Sequence, residues 1–414
     1  AAVEMLLRAM APQAILCDEI GNERDAQALE NAARCGVGLL ASAHAGAWAD
    51  VLRRPILKRL YDGATFERYL LLGRHGRRAA AYDAEGTPLF KEDGTDVEHT
   101  VLWNGHVDTV PYGELKAWDS DPSVPTLKEN MLYGRGASDM KSGLAAMAWL
   151  LGEMKRQNKV PSCNIVFAAT CDEECGGLGA SAFLHKDILN HVDEIVVGEP
   201  TGKNLGIAQK GCLWLEISGK GKTSHGAYPE KGWNAIASCM EIADAIRKRV
   251  QQTTHPILGT ATAQVTQITG GVAPNMTPDS CRLLMDIRLV PGMTVEEILE
   301  QAGKSGSEIE KISNGKFEYS VKICNNRGAI EIPENHSLVE RFRRELRRDG
   351  YEPENIGINY FTDASIFRKV NPVVPVLLFG PGDPTLAHQP NECVNLEFYE
   401  DAIKILKRVF WTEE

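Results

Sequence analysis

The chain has 414 residues, 43% of them hydrophobic, which is enough apolar material for about two or three cores of ordinary size rather than one. A formal net charge of −11 excludes the basic footprint of a nucleic-acid binder, so no nucleic-acid partner is expected. No stretch approaches the roughly 20 apolar residues of a membrane helix, residues 1–10 hold Glu4 and Arg8 without a cleavage pattern, and a cytoplasmic protein with no membrane partner is expected. The ten cysteines are spread thinly and read as reduced thiols. Cys171 and Cys175 have three residues between them, not the two of a typical zinc knuckle.

In chain order, the first 90 residues stand apart. They contain ten Arg, one Lys (Lys58) and eleven acidic residues, so the whole net charge lies after residue 90. Ala14-Ile15-Leu16-Cys17 predicts a short strand ending at Asp18-Glu19. A helix follows with Ala26, Leu29, Ala32 and Ala33 toward one face. Residues 37–43 predict a second strand, and 47–61 a helix interrupted at Pro55. Residues 66–72 and 79–82 predict two more strands. Strands alternating with helices imply a parallel sheet. The stretches MLLRAMAPQAILCDEIGNERDAQALENAARCGVGLLASAHAG and RRPILKRLYDGATFERYLLLGR resemble the C-terminal half of the stage III sporulation ATPase, a RecA-like secretion-type ATPase. That resemblance implies that Asp18-Glu19 handles Mg²⁺ and the attacking water, and that His44 ends the next strand. The Gly-rich loop whose amides and Lys hold the phosphates does not precede it, so a truncated RecA-like α/β segment without ATP hydrolysis is expected.

From about residue 97 the pattern changes. Thr100 to Trp103 predicts a strand, and strands and helices alternate to about residue 211. A segment of different order follows: strand Cys212–Ser218, helix Trp233–Val250, strands Thr260–Thr269 and Cys281–Leu289, helix Val295–Ile312, strand Phe317–Cys324. This βαββαβ order predicts a ferredoxin-like α+β unit inserted in the α/β domain. The α/β pattern resumes with a helix from His336, a strand over Val373–Phe379 and a closing helix over Leu396–Trp411. The expected domains are 1–92, 93–211 with 326–414, and the inserted 212–325.

Six polar residues sit at strand ends or in turns: His106, Asp139, Glu173, Glu174, Glu199 and His388. Singly, a histidine is more often a hydrogen-bonded core or surface residue, and a carboxylate a solvated charge. Their contexts argue otherwise. Gly105-His106-Val107-Asp108 follows an apolar strand, so the Asp108 carboxylate is expected to take the second ring nitrogen of His106. Asp139 lies in Gly134-Arg135-Gly136-Ala137-Ser138-Asp139, a glycine-punctuated turn before an apolar helix. Glu173-Glu174 and Gly198-Glu199-Pro200 each close a strand, and His388 follows another. Open α/β sheets place their sites at such ends.

In this order and with these flanking residues, the motifs resemble the dinuclear zinc amidohydrolases: aminoacylase, acetylornithine deacetylase, succinyl-diaminopimelate desuccinylase and glutamate carboxypeptidase. The resemblance covers about residues 97–414. It implies a three-layer α/β/α catalytic domain with an inserted ferredoxin-like dimerisation (lid) domain. It also implies two Zn²⁺ ions, with Co²⁺ able to substitute. His106 and Glu199 would hold one ion, Glu174 and His388 the other, and Asp139 would bridge. Glu173 would be the general base, with Asp108 supporting His106. His225, in Thr223-Ser224-His225-Gly226, would reach the partner subunit's site as an oxyanion donor. Asn275 would contact the carbonyl and Arg288 would fork onto a substrate carboxylate. Thr362-Asp363-Ala364-Ser365 resembles a pocket-lining loop, although aminoacylase-like members often carry Arg where Ser365 stands. The implied substrate is an N-acyl amino acid or a short peptide, and the implied partner a second copy of the chain. The family's own first 60–80 residues are replaced by the ATPase-like segment, so a chimera is expected, with an inactive fusion as the competing reading.

Overall fold

The computed structural model describes residues 14–17, 20, 22–34, 38–41, 48–63, 65–66, 68–72, 79–83, 99–184 and 187–411. Asp18, Glu19 and His44 lie outside them. The chain forms two compact units, Ala1–Asp96 and Val97–Glu414.

In the first unit, strand β1 (Ala14–Cys17) pairs in parallel with β2 (Gly38–Ala41), and helix α1 (Glu23–Arg34) lies between them in sequence. Helix α1 buries Ala26, Ala28, Leu29 and Ala32; Ala28 takes the place expected of Ala33. Pro55 splits the next helical stretch into α2 (Trp48–Arg53) and α3 (Pro55–Asp62), because a proline opens a helix but cannot continue one. Strands β3 (Arg68–Leu72) and β4 (Ala79–Asp83) form an antiparallel pair, not the parallel one expected. The link between them is too short for a crossover, which takes a dozen residues or more.

The second unit opens with β5 (Thr100–His106), then β6 (Thr126–Lys128), β7 (Met131–Tyr133), α4 (Lys141–Arg156), β8 (Asn164–Thr170), α5 (Leu178–Phe183), β9 (Glu194–Val197) and β10 (Leu205–Gln209). The chain then builds β11 (Gly211–Lys220), α6 (Ala235–Val250), β12 (Thr254–His255), β13 (Gly259–Thr260), β14 (Thr262–Gly270), β15 (Ser280–Leu289), α7 (Val295–Ser313) and β16 (Glu318–Arg327). It returns through β17 (Ile330–Glu331), α8 (Ser337–Arg348), β18 (Asn355–Ile358), α9 (Ala364–Phe367), β19 (Val376–Leu378), β20 (Cys393–Asn395) and α10 (Leu396–Phe410).

A seven-stranded mixed sheet runs β17-β10-β19-β9-β5-β8, with β18 also on β10. Its centre is parallel: β5 pairs with β8 and β9, and β9 with β19. Both faces are covered, so alternate residues of β5 enter different cores. Val101 and Trp103 pack with Met147, Leu150, Phe342 and Phe410 beneath α4, α8 and α10. Leu102 packs on the opposite side with Ile195, Val197 and Phe367. The predicted strand from Val373 begins only at Val376; Val373 is 83% exposed, and Pro375 just ahead of the strand has no N–H to give a ladder.

A second sheet, β14-β15-β11-β16, is wholly antiparallel. Helices α6 and α7 cover one face, against Leu213, Leu215, Ile217, Leu283, Met285 and Ile287. Asn234 caps α6 by accepting from the Ala237 amide, and Thr294 caps α7 by accepting from Glu297. The unpaired edge of β14 is exposed along most of its length. Of the eight cysteines whose side chains are described, all free, five are buried and Cys171, Cys175 and Cys324 are exposed.

Candidate metal centre

The strand register gathers the candidate ligands. His106 ends β5, paired with Thr170 at the end of β8, and Asn104 pairs with Val197 at the end of β9. Glu173-Glu174 therefore leave β8, and Glu199 leaves β9, at the level where His106 stands. Buried Asn104 ties the strands by donating to the Ala168 carbonyl (3.1 Å) and the Thr170 hydroxyl (3.0 Å). Helix α4 approaches β9 backbone to backbone: a Cβ on Gly143 would lie 1.9 Å from the Gly198 carbonyl oxygen. Only glycine admits that approach, which brings the α4 N-terminus, and with it Asp139, to the strand ends.

Asp139 stands at the centre. Its Oδ1 lies 3.2 Å from His106 Nε2 and its Oδ2 3.3 Å from His388 Nε2. Glu199 Oε1 lies 3.9 Å from His106 Nε2, and Glu174 lies 3.1 Å from His388 Nε2. His106, Asp139 and Glu199 are buried, whereas the His388 side chain is half exposed. Ligand atoms of His106, Asp139 and Glu174 all lie within 4.8 Å of one another.

The second nitrogen of His106 departs from expectation. Nδ1 meets the backbone oxygen of Asp108 at 2.9 Å, with the Asp108 carboxylate farther away at 3.6 Å. That carboxylate instead accepts from the Glu174 amide at 3.2 Å. Asp108 thus orients one imidazole through its carbonyl and a ligand-bearing turn through its side chain. Either way the Nε2 of His106 is left to face the carboxylates.

Electrostatics follow from four carboxylates crowding two imidazoles. Burial alone would lower the pKa of His106, yet the Asp139 hydrogen bond and the charges of Glu199 and Glu173 push it up to about 11. Hydrogen bonds to Asp139 and Glu174 push His388 up to about 10. Burial would raise Asp139, but the two imidazoles hold it down at about 2. Burial, reinforced by Asp139, drives Glu199 well above the carboxylate range. Burial pushes Glu173 up to about 8, against the pull of His106 and with the push of Asp363 and Glu174. Oε2 of Glu199 is buried without a hydrogen-bond partner. Nitrogen and carboxylate donors, an excess of negative charge and an orphaned buried carboxylate oxygen suit divalent cations such as zinc.

The substrate-side residues stand elsewhere. His225 is exposed, and its Nδ1 accepts from the Ala227 amide. Asn275 is exposed beside it, its carbonyl accepting from Gly226 at 2.7 Å. Among the described residues no hydrogen bond or ion pair joins either to the six cage residues. The Arg288 guanidinium binds Asp286 through two nitrogens, at 2.8 and 3.2 Å, and lies 6.0 Å from the Phe361 ring. Thr362 is fully buried and donates to Gln209 at 2.8 Å. Sequence reasoning passed over Arg327, whose guanidinium stacks near Phe361 and donates to the Gly176 carbonyl. It also passed over Glu392, a fully buried carboxylate four residues after His388. The available signal was an acidic residue opening an apolar strand.

The family model for peptidase family M20/M25/M40 matches residues 102–412. That for sporulation stage III, protein AA, matches residues 1–89. A probable succinyl-diaminopimelate desuccinylase of Staphylococcus aureus (strain MSSA476) is 28% identical over 385 residues, covering 85% of this chain and 90% of its own. An acetylornithine deacetylase of Vibrio cholerae serotype O1 is 29% identical over 317 residues, covering 75% of this chain and 80% of its own. Among solved structures, the aminopeptidase PepT from Bacillus cereus superposes with a TM-score of 0.62 at 18% identity, over 87% of this chain and 92% of its own. An M20 family metallo-carboxypeptidase from Sulfolobus solfataricus superposes with a TM-score of 0.59 at 17% identity, over 85% and 92%. At such identities the structural likeness speaks for the fold alone.

Proposed function

The chain belongs to the peptidase family M20/M25/M40 and is a metallohydrolase of amide bonds, and from that premise we propose that it removes the acyl group from N-acyl amino acids, as a deacetylase or desuccinylase, using two zinc ions. One observation carries this reading: Asp139 offers a different oxygen to each of two imidazoles, at 3.2 and 3.3 Å, and each imidazole has a further carboxylate at hand. His106 and Glu199 would hold one ion, Glu174 and His388 the other, and Asp139 would bridge them. Such a pair of ions, when bound, polarises the scissile carbonyl and lowers the pKa of water to about 7.

The chain's own residues do the rest. Glu173, half-buried among the cage residues, has its titration raised toward neutrality, which suits a general base that takes a proton and returns it to the leaving nitrogen. Asp108 keeps His106 in one orientation. His225, separate from the cage of its own chain, would act as an oxyanion donor to a second copy, so the working unit would be a homodimer built through the four-stranded sheet. Asn275 would meet the carbonyl, Arg288 the substrate carboxylate and Thr362 would shape the pocket. An Arg that reads a carboxylate serves a peptide C-terminus equally well, so carboxypeptidase or dipeptidase action is the alternative.

The test pairs zinc content of the purified protein with hydrolysis of N-acetyl- and N-succinyl-amino acids and of dipeptides, with Zn²⁺ or Co²⁺ supplied. Two equivalents of metal and turnover of an N-acyl amino acid are expected. Turnover of dipeptides alone would select the alternative, and folded, metal-loaded protein that cleaves none of them would overturn both.

A further inference from the structure

Two of the cage residues come from loops far apart in the sequence, one carrying Asp139 and the other His388. Neither is a strand end of the central sheet, yet their ligands lie 3.3 Å apart. The His388 side chain is half exposed and meets only Asp139 and Glu174 in the cage, and its backbone is left-handed, at φ 63°. A non-glycine residue persists in that conformation only where its surroundings dictate it.

Glu392, four residues after His388 on the same segment, ties that segment to the Asp139 loop. Its side chain is fully buried, and both oxygens are filled from the Asp139 loop. Oε1 accepts from the amides of Ser138 (2.8 Å) and Asp139 (2.9 Å). Oε2 accepts from the Gly136 amide (3.0 Å) and the Arg135 guanidinium (2.8 Å). A buried carboxylate is tolerated when its lone pairs are met this fully. Arg135 completes the clasp. Lying 4.9 Å from the Trp118 ring, it also donates to the carbonyl of Gln389, next to His388, at 3.2 Å. On the far side, the Ser138 hydroxyl donates to the Asp383 carbonyl at 2.8 Å. There a Cβ on Gly382 would lie 2.2 Å from the Ser138 oxygen, so the two backbones touch.

We infer that Glu392, acting with Arg135, is a positioning residue that sets the Asp139–His388 separation and thereby the affinity for the ion on the His388 side. The inference rests on the metal reading above. The other ion's ligands, His106 and Glu199, leave the sheet directly and do not depend on the clasp; only the shared Asp139 does.

The test is zinc titration of metal-stripped protein, with the visible spectrum of the Co²⁺-loaded form, for wild type, Glu392→Gln and Arg135→Lys. Gln turns one acceptor into a donor facing donors, and Lys keeps the charge but loses the fork. For Glu392→Gln, the second equivalent is expected to bind about 10–100-fold more weakly, with the first less affected and the cobalt spectrum altered. Arg135→Lys should fall between this and wild type. It also carries the test if Glu392→Gln fails to fold. Two equivalents bound with wild-type affinity and spectrum in the folded variants would overturn the clasp, even with a lowered Tm, because Glu392 would then be structural only. Wild-type protein that binds no zinc would instead overturn the metal reading beneath it, and the clasp with it.

Discussion

The two sheets of the second unit solve burial differently, and the site follows the difference. The mixed sheet is covered on both faces, so its parallel strands are mostly apolar and polar groups concentrate toward their ends. Charged side chains grouped there are desolvated, and four carboxylates with two imidazoles become a cage. The four-stranded sheet is covered on one face only. Arg288 on this sheet keeps an ion-pair partner, His225 and Asn275 are exposed in loops that leave its strands, and among the described residues none of the three is hydrogen-bonded to the cage. Burial at strand ends builds reactive electrostatics, whereas an open antiparallel face leaves side chains free to meet a partner or a substrate.

The sharpest way to break this contrast is at Asp139. Asp139→Asn keeps the shape and removes the bridging charge; activity should fall by at least about 10³-fold and bound zinc below two equivalents, as read by kcat/KM and metal analysis. His225→Ala tests the open sheet in the same assay. A loss of roughly 10²–10³-fold in kcat, with zinc content and Tm unchanged, is expected of a donor outside the cage. Unchanged kcat would leave His225 as a surface residue.

The next effects are on stability alone. Leu215→Ala opens the covered face of the four-stranded sheet and should cost about 2–5 kcal/mol in denaturant unfolding. Ile268→Ala, on an edge residue 45% exposed, should stay within about 0.5 kcal/mol. An effect smaller than that of Leu215→Ala, and dependent on pH, concerns the packing of α8 on α10. Burial would raise the pKa of Glu345, but Arg344 and Arg408 hold it below 4.5. A carboxylate held low contributes stability above its unfolded value and loses it as pH falls through the folded one. Glu345→Gln should therefore cost about 1–2 kcal/mol at pH 7, a difference that closes below about pH 4 in paired thermal melts.

Much of the fold was legible because its signals are local. The apolar runs marking β5, β8 and β9 and the helical spacing of α6, α7 and α10 depend only on neighbours in the chain. Two departures in the fold follow short-range rules: Pro375 delays β19, and the brief link after β3 gives a hairpin instead of a crossover. The six cage residues were also nameable, since a nearby glycine, a proline or a strand end accompanies each of them.

What the sequence alone determined is therefore the inventory: the main strands and helices, and the carboxylates and imidazoles that stand at strand ends or in turns. The tertiary structure decided the partnerships. That Asp139 reaches two imidazoles, that Asp108 meets His106 through its carbonyl, and that Glu392 gathers the Asp139 loop all join residues far apart in the chain. Local propensity cannot encode such distances, because they arise only when register, close glycine contacts and burial act together.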